Sequence, residues 1–343
     1  MKRKALSLII IAFMIILSTI AKLDVQAKDI EAKSNKVTIS FIGDCTLGGY
    51  RGQPLGRTYN EYYDANGGDY FLSNVKSIID KDDITFINLE GAFSSKEATA
   101  DKKYPIRCPM EHIDIISNAS VEVVNLSNNH IYDCGKSGFN ETIQLLKDNN
   151  IGYCGEGNTY TTKVNGIQVS FLGYNGWNDS KDLKHKIAQD IEAAKTSGSS
   201  IVCVEFHWGI ERDNYSNSTQ ESLAHHAIDS GASIVVGSHP HVIQGIEKYK
   251  GKTIVYSMGN FSFGANKNPD DKDTFIYQET LSVSQNNNGY TIDSNIIPCS
   301  ISSQTSTNDY KPTPLTLENK ERVIERLSKY SSKYDDTLEI LKK

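Results

Sequence analysis

The sequence has no CxxC pair, no internal repeat and no surplus of positive charge. Paired thiols at CxxC spacing build structural zinc and redox centres, so their absence turns attention to other donors. The six cysteines, Cys45, Cys108, Cys134, Cys154, Cys203 and Cys299, are widely spaced. Cys203 lies in a hydrophobic, strand-like run and reads as a buried thiol. Cys108, Cys134 and Cys154 fall in expected loops and are candidates for pairing if the chain is exported. Without a repeat, the chain must be read element by element. Its net charge of −6 over 343 residues argues against nucleic acid as the main partner. An anionic ligand would need a local basic patch or a metal.

A spanning-length apolar run is also lacking. Ala5–Ile20 is almost wholly apolar behind Lys2-Arg3-Lys4, but it is shorter than the ~20 residues a membrane helix usually needs. Val25-Gln26-Ala27 follows at cleavage spacing. This order reads as a secretory signal cut after Ala27, with an uncleaved membrane anchor as the alternative. No cysteine follows the run, which argues against a lipoprotein. Removing residues 1–27 takes away Lys2, Arg3, Lys4, Lys22 and Asp24, and moves the charge from −6 to −9. The expected location is extracellular, or anchored at the outer face of the cell membrane.

What is present is an alternation of short apolar runs and helical patterns. Strands are expected at 37–42, 84–88, 121–126, 168–173, 201–206, 233–236 and 253–256. Helices are expected at 70–80, 111–118, 137–149, 183–196, 218–230 and 317–330. Asn165-Gly166 signals a hairpin, and so does Asn286-Asn287-Asn288-Gly289 between two late strands. A Ser or Thr cap is expected to start the 218–230 helix, with Gly231 stopping it. The stretch holding Tyr59, Tyr62, Tyr63 and Tyr70 reads as a long surface loop, or else as the lining of a groove. His112, His185, His225 and His226 read as ordinary helix residues. The alternation indicates an α/β sandwich with helices covering sheets.

Polar residues recur where these strands end: Asp44, Asn88 and Glu90, Asn129 and His130, His207, His239 and His241, and Asn260. Open α/β sheets bind ligands beyond the carboxyl ends of their strands. One such coincidence carries little weight, but six point to a shared rim. Asp, Glu, Asn and His together suit divalent zinc, manganese or iron. If His239-Pro240-His241 is extended, its two imidazoles project to one side and could serve neighbouring ions. Asp133, three residues after His130, would orient that imidazole as a general acid. Glu211, four residues after His207, reads as a supporting or a solvated carboxylate.

The ordered motifs Gly43-Asp44, Asn88-Leu89-Glu90, Asn128-Asn129-His130 with Asp133-Cys134-Gly135, His207-Trp208-Gly209-Ile210-Glu211, Gly237-Ser238-His239-Pro240-His241 and Tyr256-Ser257-Met258-Gly259-Asn260-Phe261 resemble those of the CapA family. These are bacterial capsule and poly-gamma-glutamate biosynthesis proteins on a calcineurin-like metallophosphatase fold. The resemblance implies a four-layer αββα sandwich over residues 37–303. A signal or anchor at 1–27 and a linker at 28–36 would precede it, and a polar segment and helix at 304–343 would follow. It implies one or two divalent ions. Asp44 and His241 would hold one, Asn129, His207 and His239 the other, and Glu90 would bridge. His130 with Asp133 would be the acid, and Asn88, Glu211 and Asn260 would support the site or meet substrate. Ordinary metallophosphatases carry histidine two residues after the first Asp, where this chain has Thr46, and their bridging Asp is here Glu90. CapA-like proteins share that departure, which removes a ligand and makes a single-ion site an alternative. The implied role is hydrolase-type work on an anionic polymer or phosphoester beside membrane-bound synthase components. The alternatives are a non-catalytic subunit of the export complex and a general exported metallophosphoesterase.

Overall fold

The computed structural model describes residues 35–283 and 289–342. The segment expected to be a signal or anchor and most of the expected linker lie outside those residues, as does the expected Asn286-Asn287-Asn288 turn. In chain order the strands are β1 (Lys36–Cys45), β2 (Gly49–Tyr50), β3 (Ile84–Leu89), β4 (Ile106–Arg107), β5 (Val123–Asn125), β6 (Gly152–Cys154), β7 (Tyr160–Val164) and β8 (Ile167–Gly176). There follow β9 (Ile201–Trp208), β10 (Ile234–Ser238), β11 (Ile246–Tyr249), β12 (Lys252–Val255), β13 (Asp273–Val283), β14 (Tyr290–Ser300) and β15 (Thr313–Pro314). One sheet runs β15-β14-β13-β1-β3-β5-β6 and the second runs β11-β12-β10-β9-β8-β7. β1, β3, β5 and β6 are mutually parallel, as are β8, β9, β10 and β12.

Two-residue periodicity sorts the side chains into layers. Ile39, Phe41, Ile84 and Phe86 meet Val169, Phe171, Ile201, Cys203, Ile234 and Val236 in a core between the sheets. The alternate residues Ile42, Ile87, Leu89 and Val124 pack outward against Phe71, Leu72, Ile116 and Leu146 of one helical layer. Val202, Val204 and Phe206 pack outward against Ile187, Ile191, Leu223 and Ala224 of the other. The result is an α/β sandwich of helix, sheet, sheet and helix layers. The helix Leu317–Ser331 adds Val323 and Leu327 to the intersheet core. Its Arg326 binds Asp271 at 2.6 and 2.8 Å and also pairs with Asp273, which ties it to the segment entering β13.

Several expectations need correction. The Tyr-rich stretch is not a loop, because Tyr59–Asn66 is a helix. Thr58 and Glu61 form a capping box at its start. Tyr59 is fully buried, stacks on Phe71 at 4.2 Å and bonds Ser262 through its hydroxyl at 2.7 Å. Cys108, Cys134 and Cys154 do not pair: all six cysteines are buried free thiols, and Cys154 lies in a strand rather than a loop. Asn217, not Ser or Thr, caps the helix Ser218–Asp229, in a reciprocal box with Gln220. His112 is a core residue whose Nδ1 lies 2.7 Å from the Leu47 carbonyl.

Candidate metal centre at the strand ends

The parallel order brings the C-terminal ends of β1, β3, β5, β9 and β10 to one rim, where the inward-facing positions change from apolar to polar. On β9, Ile201 and Cys203 face the intersheet core, and the same period continues through Glu205 to His207. On β3, Ile84 and Phe86 lead to Asn88, then to Glu90 just beyond the strand. β1 would break the pattern, because Asp44 shares parity with the outward Ile42. A register shift between Ile42 and Asp44 corrects this and turns Asp44 inward. The shift depends on Gly43, where a Cβ would sit 2.0 Å from the Gly259 carbonyl oxygen.

At the centre lies Glu90, fully buried, with neither carboxylate oxygen hydrogen-bonded. Its Oε1 is 3.7 Å from His207 Nε2, and 3.8 Å from Nε2 of both His130 and His241. Donor atoms of Glu90, His239 and His241 all lie within 4.8 Å of one another. His239 Nδ1 is a third buried atom of this cluster without a partner. Burial pushes the Glu90 carboxyl well above its ordinary range, and the neighbouring His241 only partly opposes this. Burial, then His241, brings His239 down to about 4. For His241 burial acts downward, but Glu90 and Asp44 outweigh it and push it up to about 9. A buried carboxylate with unused oxygens among imidazoles with free nitrogens fits a bound cation, and Glu, Asp, Asn and His suit a divalent transition metal.

Surrounding residues hold this cluster in place. Asp44 accepts from Asn88 Nδ2 at 2.8 Å and from the His239 main-chain N–H at 3.1 Å, and lies 3.2 Å from His241 Nδ1. Asn260 Oδ1 is 2.9 Å from the same His241 nitrogen. His207 Nε2 is 2.9 Å from Asn129 Oδ1, and its Nδ1 is near Asn88 and Ser238. Asp133 Oδ2 holds His130 Nδ1 at 2.7 Å and accepts the Ile106 N–H at 2.6 Å. Burial lowers the His130 pKa against the opposing pull of Asp133. The His239-Pro240-His241 segment is not extended: His239 has φ 94° and His241 φ 58°, so a strained turn aims the two rings. Thr46 is no substitute ligand, because its buried hydroxyl donates to Gly48 O and accepts from Gly264 N.

Four residues of this neighbourhood escaped the sequence reading. Asn125 is fully buried and donates to Asn88 Oδ1 at 3.1 Å; its place two residues past Val123 on β5 was the available signal. Lys102 binds Asp133 Oδ1 at 2.5 Å and the Asn129 carbonyl at 2.7 Å. Glu205 accepts from Ser238 Oγ at 3.0 Å. Trp177 makes T-shaped contacts with His239 and His207, at 4.8 and 5.6 Å between ring centroids. A cavity of about 630 Å³ opens beside the cluster, lined by His130, His241, Asn260, Glu211, Arg212 and Tyr50 among others.

An α/β sandwich with carboxylate, amide and imidazole side chains gathered at the parallel strand ends defines a metallophosphatase-like class. Residues 38–265 match the family described as bacterial capsule synthesis protein PGA_cap, and the chain belongs to that family. It is 29% identical to the capsule biosynthesis protein CapA of Bacillus anthracis over 98% of this chain and 85% of that protein. It is also 29% identical to the PGA biosynthesis protein CapA of Bacillus subtilis, over 66% of this chain and 63% of that one.

Proposed function

We propose that this chain is an exported, metal-dependent component of capsule or poly-gamma-glutamate synthesis or export. It works at the outer face of the cell membrane, beside membrane-bound synthase components, on an anionic polymer or a phosphoester. The observation that carries this reading is Glu90, a buried carboxylate with both oxygens unpartnered amid imidazole nitrogens. Glu90, His239 and His241 would hold a zinc, manganese or iron ion. Asp44, Asn129 and His207 are the nearby donors for that ion or a second. Such an ion would supply Lewis acidity and lower the pKa of a water beside it.

The chain's own groups do the rest. Asp133 fixes His130, a residue lining the cavity, through Nδ1, which leaves Nε2, 3.8 Å from Glu90 Oε1, as the nitrogen that exchanges a proton with a leaving group. Burial disfavours the charged form of this imidazole, and an anion bound beside it would favour protonation. Arg212 lines the same cavity and offers a guanidinium to a carboxylate or phosphate. Export is supported by the basic head and apolar run at residues 2–20.

Thr46 favours a second reading. With its hydroxyl engaged by main chain, the donor set around His241 is reduced, which suits a single-ion, polymer-binding subunit without turnover. Metal analysis of the purified protein, paired with a hydrolysis screen over phosphoesters and gamma-glutamyl oligomers, separates the readings. Turnover expects about one or two bound ions and hydrolysis lost in His130→Ala. Bound metal without hydrolysis favours the binding subunit, and absence of retained metal overturns both.

A further inference from the structure

The imidazoles around Glu90 divide into two pairs. His130 and His241 line the cavity, together with Asn260, Glu211 and Arg212. His207 and His239 do not line it. They stand 4.7 Å apart by ring centroids, and both rings meet Trp177 edge-to-face, at 86° and 82° between planes. Exposure separates the extremes only: His239 is 8% exposed, and Asn129, which meets His207 Nε2, is an exposed residue. The His207 side chain is fully buried, whereas those of His130 and His241 are 12% and 18% exposed. Trp177 itself is 46% exposed. It follows Gly176 at the end of β8, so a strand that contributes no candidate ligand delivers an indole onto the centre's rim.

We propose that Trp177 roofs the His207–His239 side of the centre and makes it one-sided, so that water, small anions and substrate exchange only from the cavity beside His130 and His241. This rests on the metal reading above. The physical case is packing. An indole packed perpendicular to both imidazoles at these distances fills volume a small ligand would need, and favourable aromatic contacts hold it there. Nearly half of the side chain meets solvent, and the part packed on the imidazoles excludes solvent from them. The apolar surroundings of a metal centre set its solvent access; loss of a hydrogen-bonded supporting partner costs about 10–100-fold in metal affinity, which sets the scale for the test.

The test uses the full mature chain loaded with zinc. Zinc release to excess pyridine-2,6-dicarboxylate is followed in wild type, Trp177→Ala and Trp177→Phe, alongside the melting temperature of each metal-free protein. The proposal expects Trp177→Ala to release zinc about tenfold faster or more, at an unchanged metal-free melting temperature, with Trp177→Phe restoring most of the retention. Equal release from wild type and Trp177→Ala overturns the roof while leaving the metal reading intact. So does an effect of Trp177→Ala confined to KM for a substrate, which would make the indole a substrate platform. If wild type retains no zinc, manganese or iron, the metal reading itself falls and the roof with it.

Discussion

Glu90 Oε1 and His207 Nε2 stand 3.7 Å apart, and both side chains are fully buried. The gap is too long for a hydrogen bond. It is a span that two metal–ligand bonds of about 2 Å can bridge. Glu90→Gln therefore has opposite effects on the two forms of the protein. It removes a buried, unsatisfied carboxylate, so the metal-free protein should melt higher, by roughly 2–4 °C. The same substitution should abolish most of the stabilisation that added zinc or manganese gives wild type. Calorimetry with and without metal checks both signs, and a lower metal-free melting temperature would refute the assignment.

Asp133 touches no candidate ligand donor directly but holds His130 Nδ1. Asp133→Asn keeps the shape and loses the charge that selects the ring's tautomer. On any substrate the hydrolysis screen returns, kcat should fall about 10²–10⁴-fold, with metal content unchanged. Steady-state kinetics with parallel metal analysis tests this. Loss of metal in the variant would instead assign Asp133 to holding Asn129 through Lys102.

Stability should also depend on pH through a carboxylate remote from the centre. Burial raises Glu279, in the middle of β13, from 4.5 to about 7, while a bond from Tyr277 and the charges of Lys248 and Lys252 act the other way. The folded state thus binds this proton more tightly than the unfolded state. Its contribution is complete below pH about 4.5 and is lost as pH rises through about 7, a change on the order of 3 kcal/mol. Glu279→Gln should flatten that decline and leave the variant more stable than wild type at pH 8. Denaturant melts at pH 5 and pH 8 provide the comparison.

Gly43→Ala should be costly beyond its size. The added methyl meets the Gly259 carbonyl oxygen at 2.0 Å, and backbone cannot swing aside as a side chain can. A loss of about 2 kcal/mol or more is expected, together with weaker metal retention as Asp44 shifts. Unchanged melting and unchanged metal content would show that the bulge tolerates a side chain.

Much of the layering was legible because strand and helix periods are local properties. The runs at 37–42, 84–88 and 201–206 became β1, β3 and β9, and Asp44, Glu90 and His207 stood at their ends. What stayed hidden depended on contacts or on backbone angles. No pattern in Phe41-Ile42-Gly43-Asp44 announces the bulge that turns Asp44 inward. The positive φ angles of His239 and His241 have no local signature in the sequence around Pro240. Trp177 reaches the centre only through the approach of β8, which holds none of the motifs. The Tyr59 helix is different: Thr58 and Glu61 spell a capping box that is legible in the sequence beside the run of tyrosines.

The place of β13 in the first sheet bears on how this protein reaches its native state. β1 pairs with β13 through residues such as Thr38 and Thr280, which are 242 positions apart in sequence. During synthesis the first strand of the sandwich therefore presents an open edge until nearly the whole chain has followed it. Pairings of such long range slow folding, and an unpaired edge invites association with other chains. Residues 38–265, the span shared with the family, end before β13 begins. A fragment cut to that span would keep every candidate ligand yet leave β1 permanently uncovered, and it should aggregate where the full chain folds.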